Sequence, residues 1–148
     1  MMRYWMERAI TDLQLLEQRR MAIKGLALQI QQEDADAASL SGVSFDKAPS
    51  RGGGNKQEQR MCAILKSKQE LERRQATLQA LVDHTELALS SLPEREREVL
   101  TEMYTKQQHR GDTVRRLENK LYISAPSIYR IRERALRQFA LRMGYLIG

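Results

Sequence analysis

The segment from Leu92 to Arg142 constrains the fold of this chain more than any other stretch. It reads LPEREREVLTEMYTKQQHRGDTVRRLENKLYISAPSIYRIRERALRQFALR. Pro93 suits the first turn of a helix, where a missing N–H costs little, and the glutamates after it suit the positive end of the helix dipole. Apolar residues then recur at three- and four-residue spacing, which predicts a helix with one apolar face. They are Val99, Leu100, Met103 and Tyr104.

Two further helices, separated by a short turn, are predicted after a glycine that ends the first one. Asp112 and Thr113 are capping residue types, and a short helix can run from them through Leu121. Ser124 is another capping type, and Pro126 falls in the first turn of a longer helix. Two helices joined by a few residues, the second one basic, form the pattern of a helix-turn-helix, whose second helix lies in the major groove of DNA. The basic residues of that helix are Arg130, Arg132, Arg134 and Arg137.

Three runs in this segment carry a resemblance to a known family. LPEREREVL, then LYIS, then SIYRIRERALRQF follow the order and spacing of region 4 of the sigma-70 family of RNA polymerase sigma factors, over about a third of the chain. The resemblance implies that the last helix reads a −35 promoter element and that the outer surface contacts RNA polymerase. Two positions depart from the family pattern. Glu118 stands where a small residue is usual and Tyr122 where a glycine is usual, so we expect a repacked turn.

The same resemblance implies which residues contact DNA. Base-reading positions fall at Ala125, Pro126 and Arg130, and Tyr129 falls at a neighbouring phosphate contact. Because alanine and proline offer only apolar contact, Arg130 carries most of the expected direct readout, naturally of guanine. The remaining candidates are expected to position phosphates, and they are Arg115, Ser127, Arg134 and Arg137. On the same helix, the residues expected in the core are Ile128, Ile131, Ala135 and Phe139.

Charge is concentrated on the same segment. The chain has 148 residues, of which 30% are charged and 5% aromatic, with a net charge of +6. Residues 93–148 have 12 Lys/Arg against 7 Asp/Glu, a net of +5, so the basic excess lies where phosphate contacts need it. One cysteine, Cys62, excludes an internal disulfide and suits a reducing compartment. No apolar run is long enough to span a membrane, so a soluble protein of the cytoplasm is expected. The resemblance implies that this is the cytoplasm of a bacterial host and that the protein is associated with the nucleoid.

The first 90 residues predict two long helices. Apolar residues at three- to four-residue intervals run from Arg3 to Gln32 and from Lys56 to Leu92. Between them, at about 33–55, periodicity is lost, and a proline and three consecutive glycines predict a flexible loop. The fold class is therefore all-α. Residues 1–90 are predicted to form a long, coiled-coil-like antiparallel helical hairpin, and residues 91–148 the sigma-region-4-like helix-turn-helix domain.

This layout, a helical hairpin followed by a region-4-like domain, resembles the ArpU/RinA-like late-transcription activators of phages and prophages. A sequence-specific DNA-binding regulator of transcription is the function that the resemblance implies. Its expected partners are double-stranded DNA, RNA polymerase and a second copy of the chain, paired through the hairpin. A helical adaptor that binds a protein without reading DNA, and a DNA-packaging protein similar to small terminase subunits, remain alternatives.

Neither catalysis nor a cofactor is expected. The chain has no carboxylate pair, nucleophile motif or metal-ligand spacing, and His84 and His109 have no second ligand nearby in sequence. Cys62 lacks a partner histidine, so a catalytic thiol is not predicted. The stretch from Arg51 to Lys56 has exposed backbone and two cations but lacks the spacing of a nucleotide-binding loop, which favours a linker.

Overall fold

The computed structural model describes residues 3–42, 53–106 and 110–148, and these residues are helical with short connections and no β-strand. Five α-helices are present in them, which we number in chain order. A π-helical segment, Thr101–Thr105, directly follows the third. The five are α1 (Tyr4–Gly42), α2 (Gly53–Ser90), α3 (Glu94–Leu100), α4 (Arg110–Leu121) and α5 (Ala125–Met143). The predicted all-α class is confirmed. Over the described ranges, none of these helices has the length and apolar character needed to cross a membrane.

The prediction of a loop at about 33–55 is wrong for the start of that range, because α1 continues without a break to Gly42. The alanines between Glu33 and Leu40 favour helix, and Gln32 Nε2 donates a hydrogen bond to Asp36 Oδ1 one turn later (2.9 Å). Gly53 and Gly54, which were also assigned to the loop, begin α2. The rest of the predicted loop, residues 43–52, lies outside the described residues.

The described residues form two compact units, and the first consists of residues Arg20–Gln79. Polar contacts join α1 to α2 in this unit. Lys68 Nζ lies 2.7 Å from Asp34 Oδ1, and Gln75 Nε2 donates to the carbonyl of Ile23 (3.4 Å). Along α1 from Ile23 to Asp34, the residue contacted on α2 moves back from Gln75 to Lys68. This opposite order is the one expected of antiparallel helices. Apolar burial is thin, because Leu26 alone on α1 and Leu71 alone on α2 are buried among this unit's described residues.

The second compact unit combines the described residues of Met1–Arg19 with Ala80–Gly148. This division differs from the predicted boundary between residues 90 and 91. One core cluster draws Leu13 from α1, Ala88 from α2, Leu100 from α3 and Phe139 from α5, all almost fully buried. The start of α1 and the end of α2 therefore belong to the same folded unit as α3, α4 and α5, because they supply part of its core.

A second core cluster of this unit lies under α4. Val99 from α3 packs with Leu117 from α4 and with Ile128 and Ile131 from α5, and all four are buried. Together the two clusters bury the residues predicted for the core of the last helix, so that part of the prediction is confirmed. Burial of α5 on two clusters fixes its rotation, which decides the side chains that remain exposed.

A polar contact joins the end of the chain to α1. Asp12 is 6% exposed, and its carboxylate accepts hydrogen bonds from Arg19 Nη1 (2.8 Å) and from the Tyr145 hydroxyl. The Arg8 guanidinium lies over the Tyr145 ring, 4.0 Å from its centroid. Burial raises the pKa of the Tyr145 phenol above its ordinary value of 10.0, and the hydrogen bond to Asp12 raises it further. The positive charge of Arg8 has a smaller effect in the opposite direction and lowers this pKa.

Replacing Tyr145 by phenylalanine should lower the free energy of unfolding by about 1 kcal/mol at neutral pH, because the buried Asp12 carboxylate loses a donor. A tyrosine whose pKa is raised on folding stabilises fully below its unfolded pKa and loses that contribution as pH rises through the folded pKa. The stability of the parent chain should therefore fall more steeply above about pH 10 than that of the variant. Urea denaturation of both proteins from neutral to alkaline pH measures this difference, and parallel curves would contradict it.

Candidate nucleic-acid interface

The connection between α4 and α5 consists of three residues, Tyr122 to Ser124. Tyr122 has a φ of 56°, and it is the one residue other than glycine with a positive φ in the described backbone. Ser124 is extended and precedes α5, but its hydroxyl pairs with the Ser127 hydroxyl (3.1 Å) rather than with a backbone N–H. Pro126 lies in the first turn of α5, as predicted. A left-handed residue in so short a connection lets the chain reverse between two helices.

The left-handed conformation of Tyr122 is costly for a residue with a Cβ, and the residue is 92% exposed. Replacing it by glycine should raise the free energy of unfolding by up to about 1 kcal/mol, because almost no packing is lost and the strain is relieved. Tyr122→Ala is the matched control, since it removes the ring but keeps the Cβ. Thermal denaturation of the two variants should separate them, and equal stabilities would show that the backbone at this position is not strained.

The rotation of α5 exposes most of the residues predicted to contact DNA. Pro126, Tyr129, Arg130, Arg134 and Arg137 are exposed, at the three- and four-residue spacing that places them on one side of a helix. Two further candidates on this helix, Ala125 and Ser127, are half-buried, and Arg115 is exposed on α4. The face that does not pack into the protein thus carries aromatic and basic side chains together.

Arg134 has a structural contact that the sequence did not indicate. Its Nε donates a hydrogen bond to Glu96 Oε1 on α3 (2.7 Å), and Glu96 is only 7% exposed. The other carboxylate oxygen, Oε2, is buried without a hydrogen-bond partner in the described part of the protein. A buried carboxylate depends on its cation, so Arg134 stabilises the packing of α3 on α5 in addition to any contact with a ligand. The pairing joins residues 38 apart in sequence, and no local pattern reveals it.

Tyr129 and Arg132 form a second local arrangement on α5. The Arg132 guanidinium carbon lies 5.4 Å from the centroid of the Tyr129 ring, within the range of a cation–π contact. Arg132 is half-buried, whereas Tyr129 is 45% exposed. Arg132 therefore holds the ring of Tyr129 from one side and leaves its other parts accessible to a ligand.

One more ion pair joins the helices of this unit. Lys120 Nζ lies 2.5 Å from Glu98 Oε1, which links α4 to α3. The hydrogen bond that Lys120 donates to Glu98, and the negative charge of Glu98, raise the pKa of Lys120. Lys120 is consequently engaged within the protein. Arg115 is more available than Lys120 to bind an anionic ligand, since no ion-pair partner of Arg115 is found in the part of the chain that the structure describes.

A cleft of about 600 Å³ lies along the exposed face of α5. One side is formed by the start of the chain, with Arg3, Trp5 and Met6. The other side is formed by α5, through Arg130, Glu133, Arg134 and Arg137. Sequence reasoning did not find Arg3 or Trp5, because it treated the first 90 residues as a separate unit. Trp5 is 120 positions and Arg3 is 122 positions before the start of α5 at Ala125, and helical periodicity gives no information at that distance.

Within residues 3–42, 53–106 and 110–148, no group of three or more histidine, cysteine or acidic side chains is placed to hold a metal ion. Cys62 and His84 are exposed on α2, whereas His109 lies outside the described residues. Comparisons of the chain with protein-family models, with curated proteins and with solved structures gave no match.

Proposed function

We propose that this protein is a sequence-specific DNA-binding regulator of transcription, in which α4 and α5 form a helix-turn-helix and α5 is the recognition helix. The observation that carries the proposal is the exposed row of Tyr129, Arg130 and Arg137 on α5, directly after a three-residue turn. Tyr122 adopts a left-handed conformation in that turn, at the position where sigma region 4 usually has glycine. A basic helix presented after a tight turn is the arrangement that enters the major groove.

Electrostatics support the same proposal. The net charge of +5 on residues 93–148 attracts a polyanion, and neutralisation of phosphates by lysine and arginine releases counterions from DNA. In the described part of the chain, neither Arg130 nor Arg137 has an ion-pair partner, so both are available. Direct readout would rest on Arg130, because Ala125 is half-buried and Pro126 has no polar side-chain atom.

Residues 20–79 are proposed to form the antiparallel hairpin and to bind a protein rather than DNA. Large apolar side chains are exposed there, with Met21 at 65% and Leu28 at 67%, two helical turns apart on α1. A second copy of the chain or RNA polymerase is the proposed partner, as in a phage-encoded activator. Light scattering over a dilution series tests the homodimer, and a mass that stays monomeric at the highest concentration would rule it out.

Selection of bound fragments from a random duplex library by the full-length protein tests the proposed function. We expect an enriched motif, and we expect affinity for it to fall steeply with salt concentration. Absence of DNA binding at low salt would contradict the proposal and favour the helical adaptor. Binding without sequence preference, by ring-shaped oligomers, would favour DNA packaging instead.

A further inference from the structure

We propose that the start of α1 is part of the DNA-binding surface, with Arg3 bound to the phosphate backbone next to the segment that Arg130 contacts. The inference rests on the proposed function and extends it to a part of the chain that the helix-turn-helix does not include. Its basis is the cleft in which Arg3 and Trp5 face the exposed residues of α5.

Arg3 is held at a fixed place beside this cleft. Its carbonyl oxygen accepts hydrogen bonds from the backbone N–H groups of Met6 (3.0 Å) and Glu7 (3.1 Å), so its backbone is tied to the first turn of α1. Its side chain is exposed. The first turns of α1 are in turn anchored by Ala9 and Leu13, which are fully buried in the core that also contains Phe139 of α5. The guanidinium is therefore presented on a rigid support and not on a free tail.

The charge of the cleft favours an anion. Four arginines line it with one carboxylate, Glu133, and Arg134 is already paired with Glu96. For Arg3, Arg130 and Arg137, no ion-pair partner is found among the described residues. Cations grouped in this way repel one another, and a bound phosphate removes the repulsion while it gains charge-assisted hydrogen bonds.

The shape and the apolar wall of the cleft favour a polymer backbone. Trp5 and Met6 are half-buried and pack against the core, so the wall is apolar and lowers the local dielectric around the arginines. The cleft is partly open to solvent and is lined by exposed residues of α5, so a backbone that follows α5 can enter it. A free nucleotide offers the same phosphate chemistry and fits a space of this size, so the test must separate the two sources.

Trp5 provides a direct readout, because it is the single tryptophan of the chain. Its fluorescence is recorded during titration of the full-length protein with a selected duplex, and binding is followed in parallel by anisotropy of the labelled DNA. A second titration uses ATP alone. We expect the tryptophan emission to change with the same midpoint as the anisotropy and to be unaffected by ATP over the same concentration range.

The matched variants are Arg3→Ala, Arg3→Lys and Arg95→Ala, the last of which removes an exposed arginine of α3 outside the cleft. Affinities are measured at about 50 and 200 mM salt. We define the salt ratio as the affinity at the lower salt concentration divided by that at the higher one. Loss of one phosphate contact in Arg3→Ala should reduce this ratio by about three- to fourfold, with no change of preferred sequence. Arg3→Lys and Arg95→Ala should keep the ratio of the parent.

The outcomes distinguish this inference from the proposed function. The inference is overturned if Arg3→Ala binds DNA with the salt ratio of the parent and the fluorescence of Trp5 in the parent does not respond to DNA. The proposed function is unaffected by that result. A saturable response of Trp5 to ATP but not to DNA overturns the assignment to a nucleic-acid backbone. Absence of DNA binding by the parent protein overturns both proposals together.

Discussion

Residues 91–148, produced as a separate polypeptide, should fail to form a cooperatively folded domain. The fragment lacks Leu13, which is buried with Phe139 and Leu136 in the core of the intact unit. It also lacks the large side chains that pack against this core from α1 and α2, which are Trp5, Met6, Ile10 and Leu89. Each large side chain lost from a core costs about 2–5 kcal/mol, and the loss of several exceeds the stability of a domain of this size. The sequence alone predicted a separate domain at these boundaries. The outcome therefore decides whether residues 91–148 fold alone or need α1 and α2 to complete their core.

Thermal denaturation followed by circular dichroism tests the fragment. Residues 80–148, which keep Ala88 and Leu89, provide the matched control, measured with and without a synthetic peptide of residues 3–19. We expect neither fragment to unfold cooperatively alone, and we expect the peptide to restore a cooperative transition to residues 80–148 only. A sharp transition of residues 91–148 by themselves would mean that the contribution of α1 and α2 to this core is dispensable.

Replacing Arg130 by alanine should relax the preference at one base pair of the selected site and cost about 1–3 kcal/mol in binding free energy. Arg130 is exposed about one turn after Pro126, near the end of α5 that enters the major groove in a helix-turn-helix. Arg137 lies two turns further along the same exposed face. In the proposed docking, the helix leaves the groove at that point and lies beside the DNA backbone. Arg137→Ala should therefore weaken all sequences about equally and lower the salt dependence by one phosphate contact.

Affinities for the selected site and its single-base variants, each at several salt concentrations, separate the two substitutions. Arg134→Ala is unsuitable as a control, because it also leaves the buried Glu96 carboxylate without its partner. Arg95→Ala changes the charge equally on α3 and serves in its place. A uniform loss for Arg130→Ala would mean that α5 holds DNA by charge and shape, and the promoter-reading interpretation would lose its main support.

Local information in the sequence determined the class of the fold and much of α5. Ser124 and Pro126 marked the start of this helix, and Ile128, Ile131, Ala135 and Phe139 are all buried as their spacing predicted. Such features depend on residues within a few positions of one another, where the helical repeat decides which side chains share a face. The exposed arginine row follows from the same repeat once the buried face is known.

Local helix preference and tertiary contacts together set the extent of α1. Acidic and small residues from Glu33 onward resemble a loop in composition, yet they continue the helix to Gly42. Glu33 accepts a hydrogen bond from Ser67, and Asp34 binds Lys68, so residues of α2 more than 30 positions away stabilise this part of α1. Contacts of this kind stabilise the helix in addition to the local preference of its alanines.

The contribution of α1 to the candidate site was decided by tertiary structure. Periodicity shows that α1 and α5 each have an apolar face, but it does not state which faces meet. The shapes of the buried side chains decide that pairing, and here Leu13 packs with Phe139 in one core. As a result Arg3 and Trp5 line the same cleft as Arg130, and Arg134 neutralises a buried glutamate on α3. A side chain's neighbours across such a distance depend on how whole helices pack, which a one-dimensional pattern does not specify.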